Sequence, residues 1–230
     1  MRRFEKQTFE RFYDRDSAAL FCDVGFDRCC FQSSAISITL DPKLRSTVRN
    51  VRLTNCELRG CALDCAIVQD VLVDGLKTNG LFQTWGAVFQ HVTVKGRIED
   101  VMMSHLVAPG RATQEQQRAF DSANEEFYSR VDWALDISQA EFGDCTPWGV
   151  PAKLVKRDPG TQVVVTRAKA MKGDWRKLDL TGTHWRVSLE ELLRYGLADT
   201  VLVAPKRSKK FKALLRGLQL LREAGVAEPD

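Results

Sequence analysis

Large apolar residues recur every five positions along the first half of this chain. Phe21, Phe26, Phe31 and Ile36 stand in phase, and after a break at Asp41-Pro42 the phase resumes with Val48, Leu53, Leu58, Leu63, Val68 and Val73. Two residues before each stands a small or medium one: Ala19, Val24, Cys29 and Ser34, then Ser46, Val51, Cys56, Cys61, Ala66 and Val71. Helices repeat every 3.6 residues and strands every two, so neither accounts for this period. A chain that turns a corner every five residues does, and four such sides make a pass of about twenty residues.

The longer period is visible directly. Thr47–Leu53, Ile67–Val73 and Val88–Val94 align with one another at offsets of 20 and then 21 residues. Stacked at that offset, Val51, Val71 and Val92 form one inward column, and Leu53, Val73 and Val94 form another. Asn50, Asp70 and His91 then stack on the outside, which sets Asp70 beside His91 as a candidate surface pair. Leu58 and Leu63 are expected to be fully buried. The cysteines at small inward positions, Cys29, Cys56 and Cys61, read as compact apolar fillers. The x4 and x3 spacing of Cys56, Cys61 and Cys65 is not that of a zinc knuckle, so no metal or other cofactor is expected.

The runs Cys56-Glu57-Leu58-Arg59-Gly60, Cys61-Ala62-Leu63-Asp64-Cys65 and Ala66-Ile67-Val68-Gln69-Asp70 resemble the pentapeptide-repeat family. The likeness covers residues 17–40 and 46–76, extends loosely over 86–106, and stops there. It implies a right-handed quadrilateral β-helix with the central Leu or Phe and the small residue two before it pointing inward. About function it implies little, although some members imitate DNA and bind a topoisomerase. Residues 1–106 carry 14 basic and 13 acidic side chains, a balance of +1, which speaks against mimicry of a phosphate backbone.

Ala108-Pro109-Gly110 ends the repeat, and the texture changes. Thr113 through Gln116 reads as a capping box, and Phe120, Ala123, Phe127, Val131 and Ala134 recur at helical spacing, predicting a helix to about residue 135. Two continuously apolar strands are expected at 162–166 and 200–203, with a helix from His184 to Tyr195 between them. A last amphipathic helix runs from Ser208 as cap to Ala224. The fold class read from this pattern is a β-solenoid of about four coils with an N-terminal cap (1–107), followed by a small α/β domain (108–230) packed on its end.

Chemistry is sparse. No phosphate-binding loop, HExxH or GxSxG occurs, and Asp132 and Asp136 are placed on one face of the expected helix without a third ligand. The function expected is therefore a non-enzymatic protein-interaction module using a rigid surface, its partner being a protein. One alternative is a nucleic-acid-binding protein using the basic cluster Lys206, Arg207, Lys209, Lys210, Lys212 and Arg216, whose charges oppose the helix macrodipole. A second is a hydrolase in the C-terminal half. The N-terminus carries no leader and no window is apolar enough to span a membrane, so a cytoplasmic location is expected.

Overall fold

The left-handed backbone conformation recurs every five residues, and this is what turns the chain. Asn50, Asn55, Gly60, Cys65, Asp70, Gly75 and Gly80 all have positive φ, and after one extra residue Gly86, His91 and Gly96 continue the series. Asn, Asp and His are the non-glycine residues most tolerant of that region, which explains their outward places. At Gly75 the conformation is joined by a close approach: a Cβ there would stand 2.7 Å from the Asn55 side-chain oxygen.

A computed structural model describes residues 1–228, and it is built mostly of parallel β-sheets with helices and no closed barrel. The first pass holds β1 (Arg2–Glu5), β2 (Thr8–Glu10) and β3 (Tyr13–Arg15); the second holds β4 (Leu20–Asp27), β5 (Cys30–Gln32) and β6 (Ala35–Ile38). The third holds β7 (Thr47–Arg59), β8 (Ala62–Asp64) and β9 (Ile67–Gln69), and the fourth β10 (Leu72–Thr78), β11 (Phe82–Trp85) and β12 (Val88–Gln90). The fifth begins with β13 (Val92–Ile98) and β14 (Val101–Ser104). Each pass lies in parallel register on the one before. Phe4 pairs with Phe26, Phe26 with Leu53, Leu53 with Val73, and Val73 with Val94.

The chain then leaves the stack for α1 (Gln114–Tyr128), whose N-terminus carries the expected capping box between Thr113 and Gln116. This helix ends at Tyr128, short of the predicted residue 135, and Val131 and Ala134 lie beyond it. Parallel stacking resumes past residue 107, where the sequence pattern had placed a boundary. β15 (Leu135–Phe142) pairs with β13, β16 (Cys145–Pro147) with β14, and β17 (Val155–Lys156) with β15. Arg45 fastens α1 to the stack: its buried guanidinium donates to Gly86 O (3.0 Å) and Asn124 Oδ1 (2.5 Å) and lies 4.6 Å from the Phe120 ring centroid. Burial lowers its pKa to about 10.

The remaining unit contains β18 (Gln162–Thr166), α2 (Arg167–Lys172), α3 (Trp185–Arg194), β19 (Asp199–Val203) and α4 (Phe211–Glu223). β18 and β19 pair antiparallel. Their continuous apolar character follows from having both faces covered. Val163, Val165 and Leu202 pack among the helices, while Val164, Val201 and Val203 pack against the parallel stack. Gln162 donates to Ile137 O and the Arg207 amide to Phe142 O, tying this unit to β15. α4 starts at Phe211 with Lys210 at the cap position, and Ser208, the expected cap, instead accepts from the Lys210 amide. Among the described residues no helix is long and apolar enough to cross a membrane.

Candidate functional site

Asp70 and His91 meet through the 21-residue offset of their passes, with Asp70 Oδ1 3.1 Å from Nδ1 of His91. A third residue joins them: Oδ1 of Asp132 lies 2.6 Å from Nε2 of the same ring. Both ring nitrogens then donate, which requires the imidazolium, and the hydrogen bond to Asp132, followed by that to Asp70, raises the histidine pKa above its ordinary value. Asp132 is correspondingly held below the usual carboxylate range by His91. The Trp133 ring stands 4.9 Å from the imidazole, and Lys156 Nζ lies 3.7 Å over that indole. A general base needs a free nitrogen facing a substrate, and His91 has neither nitrogen free. The cluster instead clips the chain's return from α1 onto two passes.

Asp132 and Asp136 do not share a helix face as the sequence spacing suggested, because the helix stops four residues earlier. Asp136 is on β15, where it accepts from Ser138. The other histidines gather no constellation. His105 is half-buried 5.5 Å from the Tyr195 ring, and His184 precedes α3 beside Trp185. All seven cysteines are free thiols. Cys29 and Cys56 fill the interior, whereas Cys61 is half-buried; burial pushes the Cys65 thiol up to about 12. Among the described residues no three His, Cys, Asp or Glu side chains are placed to hold a metal ion.

The six basic residues divide. Lys206 pairs with Asp158 at 2.9 Å, and the Arg207 guanidinium donates to Ile98 O at 3.3 Å. Lys209, Lys210, Lys212 and Arg216 remain exposed at the start of α4.

The two ends of the parallel stack are unlike. At one end Leu135, Ile137 and Phe142 are completely buried under the C-terminal unit. At the other, β1, β2 and β3 each pair on one side only, with β4, β5 and β6. Met1, Phe12, Tyr13 and Leu20 are exposed there. Between these ends runs a cavity of about 830 Å³, lined by the inward columns. Its lining passes from exposed residues of the first pass, Arg2, Thr8 and Phe12, to buried Ile98, Leu135 and Phe142, so it opens at the N-terminal end. Four rings crowd its outer part, with Phe4 stacked on Phe26 (5.5 Å) and Phe9 on Phe31 (5.2 Å).

No protein-family model, no curated protein and no solved structure matches this chain.

The cavity was not legible in the repeat. Leu58 and Leu63 were expected to be fully buried, yet both are half-buried because they face this space. Thr84 stands between Leu63 and Met103 in the same column and is itself almost fully buried.

Proposed function

We propose that the parallel stack is a β-solenoid, a right-handed quadrilateral β-helix of the pentapeptide-repeat kind, and that the protein is a non-enzymatic interaction module. The in-register parallel pairs and the left-handed residue at every fifth position support the fold. One observation carries the function: the unpaired edge of β1, β2 and β3, surrounded by exposed Met1, Phe12, Tyr13 and Leu20. Open strand edges with apolar neighbours are templates for association, and proteins ordinarily blunt or cover them.

The partner proposed is a second copy of this chain. Within residues 1–16 stand five basic side chains (Arg2, Arg3, Lys6, Arg11, Arg15) and four acidic ones (Glu5, Glu10, Asp14, Asp16). An edge of one sign would repel its own copy, whereas a mixed edge can be self-complementary across a two-fold axis. Sedimentation velocity over a range of concentrations tests this. The expected result is a dimer, converted to monomer by Phe12→Glu with Tyr13→Lys while the circular dichroism is unchanged. A wild-type chain that stays monomeric at every concentration refutes the second-copy reading.

The exposed cations at the start of α4 favour a polyanion as a second reading. It requires a salt-dependent gel shift that Lys209→Glu with Lys212→Glu abolishes.

A further inference from the structure

Charge is divided unevenly along the chain. Residues 1–156, which build the parallel stack and α1, carry 19 basic and 21 acidic side chains, a balance of −2. Residues 157–230 carry 15 basic and 9 acidic ones, a balance of +6. Part of this excess is gathered on one face. Arg186, in the first turn of α3, donates to Arg176 O (2.9 Å) and Leu178 O (3.0 Å), which holds it against the turn Trp175–Lys177. The start of α4 packs on the same segment: a Cβ at Gly182 would stand 3.8 Å from that of Ala213, and the Trp185 indole donates to Leu214 O. Asp179 lies within electrostatic reach of both Arg186 and Arg216, and His184 within reach of Lys210. Arg176, Arg186, Lys209, Lys210, Lys212 and Arg216 are all exposed here. Asp179 stands against these six cations, while Asp174 is taken up by Lys177 at 2.8 Å.

Like charges on one face repel one another, and cations at the start of a helix oppose its dipole. Neither α3 nor α4 offsets this with a side-chain cap or an acidic residue in its first turn. A polyanion relieves both costs. Its class follows from what else the face offers. Single strands are gripped by stacking bases on aromatic rings, but Trp175 and Trp185 are buried and Tyr195 and Phe211 half-buried. Peripheral membrane binding adds apolar side chains to the charge, and among the described residues none of the large exposed ones lies at the start of α4. Cations drawn from three elements suit a double helix, whose phosphates are the densest array of charge.

We propose that this face binds double-stranded nucleic acid through its phosphates, without reading base sequence. This rests on the polyanion reading above and extends it from the start of α4 to α3 and the turn before it.

Fluorescence anisotropy of labelled DNA and RNA duplexes with the full chain tests it, and a preference between the two names the source. Six phosphate contacts predict a log–log salt slope of about −5, hence about a thousandfold loss of affinity from about 50 to 200 mM salt. Arg176→Gln, Lys210→Gln and Arg216→Gln are each expected to weaken binding about three- to tenfold and to reduce the slope by about one, with the melting temperature unchanged. Arg118→Gln, the same change of charge on α1, is expected to alter neither. Heparin separates the two ways of failing. A chain that ignores heparin and both duplexes has no polyanion site, which overturns the earlier reading as well. Binding of heparin without either duplex, or duplex binding indifferent to Arg176→Gln and Arg216→Gln, overturns this proposal alone. So does a single strand that binds as tightly as the duplex, or sedimentation with phosphatidylserine vesicles in place of duplex binding.

Discussion

Gly217 lies inside α4, where replacing glycine by alanine ordinarily stabilises a helix by about 1 kcal/mol. Here the sign should reverse. A Cβ at Gly217 would fall 2.5 Å from Cδ1 and 2.7 Å from Nε1 of Trp185, whose ring is 1% exposed. The ring has no easy retreat, because its indole N–H donates to Leu214 O at 3.0 Å. Displacing it either overpacks the site, at about 1–3 kcal/mol, or orphans a buried donor at a similar cost. Set against the gain in propensity, the net effect is a loss of up to about 2 kcal/mol. Urea unfolding followed by tryptophan fluorescence and by circular dichroism measures it. Lys212→Ala, exposed on the same helix, serves as control and should shift stability by less than about 0.5 kcal/mol. The double variant Gly217→Ala with Trp185→Leu should show favourable coupling, since the small side chain vacates the space. If Gly217→Ala raises stability by the ordinary helical increment, the close approach of α4 to Trp185 is refuted.

Other expectations follow from the stack and its fasteners. His91 has its folded pKa raised above the ordinary 6.5, so its contribution is fully present below about pH 6.5 and is lost as pH rises through the raised value. The gap in urea midpoint between wild type and His91→Gln should therefore close between pH 6 and pH 9; a gap that widens over that range contradicts the clamp. Leu135→Ala should cost about 2–5 kcal/mol, since Leu135 is 0% exposed, whereas Leu63→Ala should cost less because its side chain already faces open space. Thermal melts rank the two. Cys145 and Cys65, whose thiols burial holds well above the ordinary range, should resist a thiol-specific reagent in the native protein after Cys22 and Cys30 have reacted. Mass spectrometry of partly modified protein reads the order.

The register was legible because it depends on local chemistry repeated many times. Leu53, Val73 and Val94 could be aligned by offset alone, and Asp70 was placed beside His91 by the same offset. Asp132 could not be, since its approach depends on a chain that leaves the stack and returns. The helical spacing overstates the extent of α1 for a physical reason: Val131 and Ala134 continue it while serving the interior of the stack. A signal was present in Leu135-Asp136-Ile137, whose alternation fits a strand, and in the small Ala140 followed two residues later by Phe142. The cavity was hidden because its lining is made of the same inward residues, Leu53, Leu58 and Leu63 among them, that the repeat marks as core. Ser208 has the residue type of a cap, but the turn through Pro205 delays the helix to Phe211.

The excursion through α1 also affects how the chain is assembled. Most neighbouring passes are joined over 20 to 27 residues, as at Leu53–Val73 and Phe26–Leu53, but Val92 meets Leu135 only across 43. Doubling a loop adds only about 0.6 kcal/mol of closure entropy, so the delay matters more than the thermodynamic cost. At about 5–20 residues per second, synthesis takes roughly 2 to 9 s to proceed from Ile98 to Phe142. For that interval the free edge of β13 has no strand to pair with, and nascent chains on one messenger are close neighbours. Mispairing between ribosomes would begin at β13, and a chain lacking residues 135–142 would keep that edge exposed permanently.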